Sequence, residues 1–449
     1  MNPRMKGSRR LPALGRALAC AQLVVAMACA CASGGGRPAA TASTPGAPPP
    51  ALPGASPSAS PPVASPPPAS AQLRIDAVQR LGPGIGFLSG VTAGGPLLAV
   101  TADGGATWRR VAAPAPMTAL RFVSERVGWA AASADPDART GLVLRTTDGG
   151  ATWQQTLSFV VGGPGGEPVR QLEAADADHA WVLTGAAPPC ASPCPTELRR
   201  TTDGGRTWTT LVRGVDAVRF ASASRGWLAV SDFAGGTRVR LTNDGGTTWE
   251  DAFQTRSGSV VGLDAATTGT AWLLTRDLRS CTASSCLRFE VFRTDDGRRW
   301  SSLGNPKDHA GSCVVGHLLG PLFASPTRGW LALTLGAGGA RGGQGGLMGT
   351  GDGGRTWRCV DMPHTLRMSA ADPLRAWVTA REPNQDDALY ATDDGGATWR
   401  GVGLAGVRGP GTAVSAVSAP DDTRLGPGPL ARWNPAQTRW LARRPSRWS

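Results

Sequence analysis

The chain has 449 residues, of which 61 are glycine and 37 are proline, and only 18% are charged. The formal net charge is +13, but five basic residues lie within residues 1–31 and seven arginines lie beyond residue 405. The stretch between these ends is close to neutral, which excludes the basic domain face that nucleic-acid binding requires.

Residues 1–31 have the composition of an export signal of lipoprotein type. A basic stretch is followed by a mostly apolar run, Ala17 to Ala30, which is too short to span a bilayer. Small residues precede Cys29 and Cys31, and glycines follow, although Ala occupies the position where a lipoprotein site usually has Leu. Processing at Cys31 leaves an even six cysteines for an oxidising compartment, so we favour lipidation of Cys31, with Cys29 as the alternative. Ordinary signal cleavage without lipidation is a further alternative.

Residues 32–72 form a linker of almost only Pro, Ala, Ser, Gly and Thr, with one charge at Arg37 and no aromatic residue. Such a segment cannot bury a core and is predicted to be disordered. At roughly 3 Å per residue it would extend on the order of 100 Å, enough to hold a domain away from a membrane. A disordered leader without that role is the alternative.

From residue 73 onward, an eight-residue turn of the form Thr-x-Asp-Gly-Gly-x-Thr-Trp organises the chain. Six full copies and a seventh that is one residue shorter, at 294–300, recur at the spacing of a four-stranded propeller blade. We expect each aspartate to accept hydrogen bonds from nearby backbone and each glycine pair to allow a tight hairpin. The seven aspartates, interpreted as structural rather than catalytic or metal-binding, are Asp103, Asp148, Asp203, Asp244, Asp296, Asp352 and Asp394.

A small residue followed by an aromatic residue precedes every turn. The pairs are Gly86-Phe87, Gly128-Trp129, Ala180-Trp181, Gly226-Trp227, Ala271-Trp272, Gly329-Trp330 and Ala376-Trp377. Apolar residues follow most of them, which is typical of a buried strand. Residues 73–405 are therefore predicted to form an all-β, seven-bladed propeller of four-stranded antiparallel blades. Residues 406–449 are interpreted as closing strands or as a basic Arg/Trp tail, with a degenerate eighth blade as the alternative.

Three long inserts fall between the aromatic strand and the next strand of their units, at 185–195, 276–287 and 336–346. We expect all three to emerge on one face. The close pairs Cys190/Cys194 and Cys281/Cys286 are interpreted as local disulfides, and Cys313 and Cys359 as a third candidate pair. Neither of the two close pairs has further Cys or His at ligand spacing, so we predict no metal and no cofactor.

The repeated turn resembles the Asp-box, or bacterial neuraminidase repeat. Together with the small-aromatic strand, it is similar to the photosystem II assembly and stability factor family, over about residues 73–405. The resemblance implies a seven-bladed propeller. It does not select one function, because Asp-box propellers include sialidases, xyloglucan hydrolases, receptors and non-enzymatic assembly factors.

An active site is not evident in the sequence. Sialidase chemistry needs a tyrosine nucleophile, and the single tyrosine, Tyr390, occupies a core-strand position two residues before a turn. Inverting hydrolysis needs only two carboxylates across a groove. Candidate acids in or near loops, each interpreted as a solvated charge, are Asp135, Asp137, Asp176, Asp178, Asp386 and Asp387.

The sequence thus predicts an exported, membrane-tethered and non-catalytic propeller that acts as a binding or assembly scaffold at the cell envelope. As a monomer, it would present loops of one face to a protein or glycan partner. The alternative is a secreted glycoside hydrolase of sialidase or xyloglucanase type.

Overall fold

The computed structural model describes residues 73–133, 140–160, 169–185, 196–232, 235–277, 288–309, 317–334, 346–381 and 386–407. All of these residues belong to one compact unit, Pro66–Ser449. They form seven four-stranded antiparallel sheets in which neighbouring strands follow chain order. The predicted all-β, seven-bladed propeller is therefore confirmed.

Each blade takes its four strands from one continuous stretch of chain. Blade 1 contains β1 (Arg74–Arg80), β2 (Gly86–Thr92), β3 (Gly95–Thr101) and β4 (Arg109–Val111). Blade 2 contains β5 (Met117–Phe122), β6 (Gly128–Ser133), β7 (Thr140–Thr146) and β8 (Gln154–Val160). Blade 3 contains β9 (Val169–Ala174), β10 (Ala180–Gly185), β11 (Thr196–Thr201) and β12 (Thr209–Arg213). Blade 4 contains β13 (Ala217–Phe220), β14 (Gly226–Ser231), β15 (Thr237–Thr242) and β16 (Glu250–Thr255).

The remaining blades repeat this order. Blade 5 contains β17 (Ser259–Ala265), β18 (Ala271–Asp277), β19 (Arg288–Thr294) and β20 (Trp300–Gly304), followed by the short 3₁₀ helix Pro306–His309. Blade 6 contains β21 (His317–Phe323), β22 (Gly329–Thr334), β23 (Gly346–Thr350) and β24 (Arg358–Asp361). Blade 7 contains β25 (His364–Ala370), β26 (Ala376–Arg381), β27 (Ala388–Thr392) and β28 (Arg400–Val402). The first strand of each blade contacts the first strands of its neighbours, so these seven strands surround the axis.

The turn between the third and fourth strands is held by its aspartate. In blade 1, the Asp103 carboxylate accepts hydrogen bonds from the Thr107 N–H at 2.9 Å, the Thr107 hydroxyl at 2.6 Å and the Thr101 hydroxyl at 2.8 Å. Gly104 and Gly105 have φ of 73° and 98°, a conformation that favours glycine. The same bonds recur at the equivalent aspartates of blades 2, 3, 4, 6 and 7. In the shorter turn of blade 5, Asp296 instead accepts from the backbone N–H groups of Arg298 and Arg299.

The hydrophobic core is divided into seven clusters, each lying between two adjacent blades. The tryptophan of the second strand is fully buried in six blades, at Trp129, Trp181, Trp227, Trp272, Trp330 and Trp377. A single small sheet cannot bury so large a ring on its own, so each blade depends on its neighbour for its core.

Two kinds of packing alternate from blade 2 to blade 7. In even-numbered blades the first strand ends in a phenylalanine, directly opposite a glycine of the second strand: Phe122/Gly128, Phe220/Gly226 and Phe323/Gly329. In blades 3, 5 and 7 both positions are alanine: Ala174/Ala180, Ala265/Ala271 and Ala370/Ala376. Each phenylalanine stacks on an aromatic ring of the preceding blade. A Cβ atom at Gly226 would lie 2.5 Å from the Phe220 ring, so the phenylalanine requires the glycine.

The ring closes between blades 7 and 1, whose strands come from opposite ends of the described chain. One backbone hydrogen bond, from the Asp387 N–H to the Leu73 carbonyl at 2.9 Å, joins them together with several side chains. Arg80 replaces the phenylalanine at the end of β1; its guanidinium pairs with Asp393 at 2.6 Å and lies 5.4 Å from the centre of the Trp377 ring. Leu404 and Val407 pack into the cluster at the same junction, just beyond the predicted boundary at residue 405. The stretch considered for an eighth blade otherwise lies outside the described residues.

Candidate functional site: the two faces and the inner ring

The two faces of the propeller carry different connections. Because successive strands are antiparallel, the turns that follow first and third strands share one face, here called the turn face. The connections that follow second and fourth strands share the opposite face, the loop face. The long predicted inserts run between second and third strands, so their ends lie on the loop face: Gly185 and Thr196, Asp277 and Arg288, and Thr334 and Gly346.

On the turn face, the repeated turns of blades 4, 5 and 6 are bonded to the preceding blades. Trp181 donates its indole N–H to the carbonyl of Gly245 at 3.0 Å, and Trp272 donates to the carbonyl of Gly353 at 2.8 Å. Trp227 donates in the same way to Gly297 at 3.1 Å. In each case the accepting glycine belongs to the repeated turn of the following blade, so the turn both closes a hairpin and joins two blades.

The arginines that precede several turns strengthen these junctions. The Arg293 guanidinium lies 5.2 Å from the centre of the Trp272 ring and donates to the carbonyl of Pro326 in blade 6 at 2.8 Å. Arg145 donates to the carbonyl of Ala177 in blade 3 at 3.1 Å. Arg200 donates to the carbonyl of Asp244 in blade 4 at 3.0 Å. Their charges are used within the scaffold.

An inner ring of side chains occupies the next-to-last position of the seven first strands. Its members are Gln79, Arg121, Glu173, Arg219, Asp264, Leu322 and Ser369. From blade 2 to blade 5 their charges alternate and form a chain of ion pairs, Arg121–Glu173 at 3.4 Å, Glu173–Arg219 at 2.9 Å and Arg219–Asp264 at 2.8 Å. Asp264 also accepts the backbone N–H of Phe323 in blade 6.

The inner ring is a structural link rather than a set of free charges. Burial lowers the pKa of Arg219, but Glu173 and Asp264 outweigh it and raise that pKa above its usual value. Burial raises the pKa of Asp264, whose side chain is only 4% exposed. Loss of either partner would leave a buried charge uncompensated. The sequence carried a signal for this ring, since Arg121 and Arg219 each interrupt an otherwise apolar strand.

The described candidate acids lie in two separate places. Asp176, in the turn after β9, accepts from the backbone N–H groups of Asp178 and His179, both at 2.8 Å, on the turn face. Asp386 and Asp387, just before β27, accept the backbone N–H groups of Leu73 and Ile75 and hold blade 1 to blade 7.

Tyr390 is 8% exposed and lies in a hydrophobic cluster between blades 6 and 7. Asp135 and Asp137 lie outside the described residues. Within the described part of the chain, the structure therefore does not bring the candidate acids into one cleft.

Several predictions concern residues outside the described ranges. They include lipidation at Cys31 or Cys29, the linker, the C-terminal tail and the cysteines Cys190, Cys194, Cys281, Cys286 and Cys313. Cys359 lies in β24, the last strand of blade 6. These predictions stand as they were made.

A cavity of about 120 Å³ lies on the turn face between blades 2 and 3, lined by residues that include Arg145, Asp178, Asp203 and Arg206. It is smaller than the roughly 300–1,000 Å³ of most small-molecule sites. The Asp203 carboxylate and the Arg145 guanidinium in its wall are already bonded to the protein.

The described residues hold no group of three or more His, Cys, Asp or Glu suited to a metal ion. No helix among them has the length and apolar character needed to cross a membrane.

No protein-family model and no curated protein matches the chain, whereas solved propeller structures do. The structure of YCF48 bound to D1 peptide is 20% identical with a TM-score of 0.46, and the match covers 73% of this chain and 92% of that one. YCF48 from Cyanidioschyzon merolae is 17% identical with a TM-score of 0.44, over 73% of this chain and 95% of that one. The GH74 enzyme of Niastella koreensis is 12% identical with a TM-score of 0.37, over 73% of this chain but 56% of the enzyme. Similarity at this level assigns no activity.

Proposed function

We propose that this protein is a non-catalytic binding or assembly scaffold of the cell envelope. The ring presents its loop face to a partner, and residues 1–72 supply export and a lipid tether through Cys31. A protein partner fits the precedent of YCF48, which has been solved with a D1 peptide bound.

The observation that carries the proposal is the contrast between the two faces. Three repeated turns on the turn face are bonded to the preceding blades through their backbone carbonyls. The long connections all begin and end on the loop face, where extra length does not interrupt those bonds. Binding residues generally lie on loops that a rigid scaffold holds in place.

A glycoside hydrolase is the second candidate, because GH74 enzymes share the propeller fold. It would need two carboxylates free to act on one sugar bond. Of the candidate acids in the described residues, Asp176, Asp386 and Asp387 instead accept backbone N–H groups, and Asp178 lines the small cavity of the turn face. This use of the carboxylates favours the scaffold.

Site-specific photo-cross-linking tests the proposal. One variant carries a photo-reactive amino acid at Arg288, an exposed residue that opens β19 on the loop face. Its matched control carries the group at Arg299, in the turn of the same blade, where the side chain is 94% exposed. After irradiation of cells that produce the protein, we expect one recurrent protein partner at Arg288 and none at Arg299. Equal yields at both positions, or co-purifying polysaccharide without a protein, would reject the scaffold.

Membrane attachment has its own test. Cys31→Ala should release the protein from the membrane fraction, whereas Cys29→Ala should leave it bound. Release by neither variant would reject the lipid tether while leaving the binding proposal intact.

A further inference from the structure

Both ends of the described chain lie at the junction between blades 7 and 1. Leu73, the first described residue, and Val407, the last, are buried in the same hydrophobic cluster. Val407 donates its N–H to the Leu404 carbonyl at 3.0 Å. A Cβ atom at Gly406 would lie 2.7 Å from the carbonyl oxygen of Trp108, which directly precedes β4. The residues beyond Val407 therefore start beside the outermost strand of blade 1.

The fourth strands form the outer edge of the ring, since the first strands surround the axis. In blades 6, 7 and 1 each fourth strand begins with an arginine, Arg358, Arg400 and Arg109, and Arg110 follows in blade 1. Arg110 is partly exposed and the other three are exposed. These four residues are here called the basic rim. Blade 7 is in the middle of the three blades, so the chain beyond Val407 starts within the same sector of the ring.

Arginines elsewhere on the outer edge have carboxylate partners. In blade 3, Arg213 pairs with Glu197 at 2.8 Å. In the turn before β20, Arg298 of blade 5 pairs with Glu250 of blade 4 at 2.6 Å. Exposed pairs of this kind contribute little to stability. Their effect here is to cancel the positive charge on that side of the ring.

The basic rim keeps its positive charge. Within the described ranges, no ion pair involves its three members other than Arg400. Arg400 lies 3.2 Å from the Asp393 carboxylate, but that carboxylate also pairs with Arg80 at 2.6 Å. These two arginines and one aspartate together still carry one positive charge.

Protection of the sheet edges does not account for the basic rim. A charge on an edge strand hinders pairing with another sheet, and a charge of either sign does so. The outermost strand of blade 4 begins with two acids, Glu250 and Asp251. The use of arginine in three neighbouring blades therefore indicates attraction of an anionic partner.

Residues 408–449 add to the charge of this sector. They contain seven arginines and two aspartates, and their three tryptophans are Trp433, Trp440 and Trp448. Arginine is attracted to the phosphates of anionic lipids, and tryptophan is enriched at the level of the lipid headgroups. Arginine and proline interrupt the apolar residues of this segment, so its composition suits the surface of a bilayer rather than its interior.

We propose that the basic rim and residues 408–449 together bind the anionic headgroups of a membrane. The guanidinium groups of blades 6, 7 and 1 contact lipid phosphates, and the tryptophans beyond the ring lie at the level of the headgroups. The contact goes beyond the proposed scaffold, because it requires neither a protein partner nor a lipid on Cys31. It turns the edge of the ring between blades 7 and 1 towards the bilayer, at the junction from which the chain also leads back to Cys31.

Vesicle flotation with the full-length Cys31→Ala protein tests this contact without the lipid tether. We expect binding to vesicles of phosphatidylcholine and phosphatidylglycerol, at least tenfold weaker binding to phosphatidylcholine alone, and loss of binding at high salt. Arg109→Glu combined with Arg110→Glu should lower binding to the anionic vesicles at least tenfold. The matched control, Arg256→Glu with Arg288→Glu, makes the same change of net charge at exposed residues of blades 4 and 5 and should leave binding nearly unchanged.

A third variant tests the segment beyond the ring. Arg443→Glu combined with Arg444→Glu should also lower binding to the anionic vesicles at least tenfold. Thermal unfolding of all variants checks that each is folded. Full binding by the rim variant or by this variant would overturn the shared surface. An equal loss in the control, or equal binding to soluble polyphosphate, would overturn the assignment to a membrane.

The result is separable from the tests of the scaffold. In cells, a high-salt wash should remove the Cys31→Ala variant from the membrane fraction and leave the lipidated protein bound, because salt weakens only the electrostatic contact. The partner cross-link at Arg288 is measured in the tethered protein. Failure of vesicle binding would therefore overturn this inference and leave the scaffold standing.

Discussion

The turn face and the loop face are built from the same twenty-eight strands, but they are constrained very differently. On the turn face, each turn has a nearly fixed length, and its glycine carbonyl accepts the indole of the preceding blade in three junctions. On the loop face, the second and third strands are joined closely in blade 1, between Thr92 and Gly95, but are far apart in sequence in blade 6, between Thr334 and Gly346. The bonds from the repeated turns to preceding blades lie on the turn face, whereas the connections between second and third strands on the loop face vary in length.

The largest expected effect comes from breaking a junction on the turn face. Trp272→Ala removes a fully buried ring, its stacking on Phe323 and its hydrogen bond to Gly353. We expect a loss of about 3–5 kcal/mol in the free energy of unfolding. Urea denaturation would measure it, with Leu374→Ala as an exposed control on the same face. A loss below about 1 kcal/mol would mean that blades do not depend on one another.

A smaller effect should follow from a single methyl group. Gly226→Ala places a Cβ atom 2.5 Å from the Phe220 ring, and overpacking of this kind costs about 1–3 kcal/mol. In a Phe220→Ala background the same substitution should cost much less, because it recreates the alanine pair of blades 3, 5 and 7. A double-mutant cycle measures this coupling. Equal costs in the two backgrounds would contradict the alternation of packing types.

The repeat was enough to predict the fold because its signals are local. The Asp-Gly-Gly turn and the small-aromatic strand each determine structure within a few residues, and both recur in phase seven times. The alternation of Gly128, Ala180 and Gly226 was also visible in the sequence. The structural reason for this alternation could not be predicted, because it depends on the strand register that places Phe122 opposite Gly128.

The site was harder to predict because its contacts join different blades. Arg121 and Glu173 are 52 residues apart in the chain, and their pairing follows from ring geometry rather than from a motif. The hydrogen bond from the Ile75 N–H to the Asp387 carboxylate joins residues 312 positions apart.

Acid should weaken the repeated turns of the turn face. The Thr hydroxyl and N–H donors of the repeated turns lower the pKa of Asp103, Asp148, Asp203 and Asp244 to about 2. Because the folded-state pKa lies below the unfolded value of about 3.9, this stabilisation is complete above pH ~4. It is lost as the pH falls towards about 2.

The measurement is the thermal midpoint as a function of pH. Asp203→Asn should lower the midpoint near neutrality and make its fall below pH ~4 less steep, since one titrating group is gone. Thr207→Ala, which removes the largest cause of the Asp203 shift, should reproduce part of both effects. An unchanged slope in both variants would mean that the turn aspartates do not govern acid stability.

The smallest effect on stability is expected on the loop face, where an exposed arginine can be compared directly with one on the turn face. Arg367→Ala and the turn-face control Arg299→Ala both remove an exposed guanidinium, and each should change the free energy of unfolding by no more than about 0.5 kcal/mol. Only Arg367→Ala should reduce partner cross-linking from Arg288. If Arg367→Ala instead lowered the free energy of unfolding as much as Gly226→Ala, Arg367 would stabilise the propeller. The proposed contrast between a structural turn face and a binding loop face would then be wrong. A residue that contacts only a partner should reduce binding when it is substituted, while the stability of the protein stays unchanged.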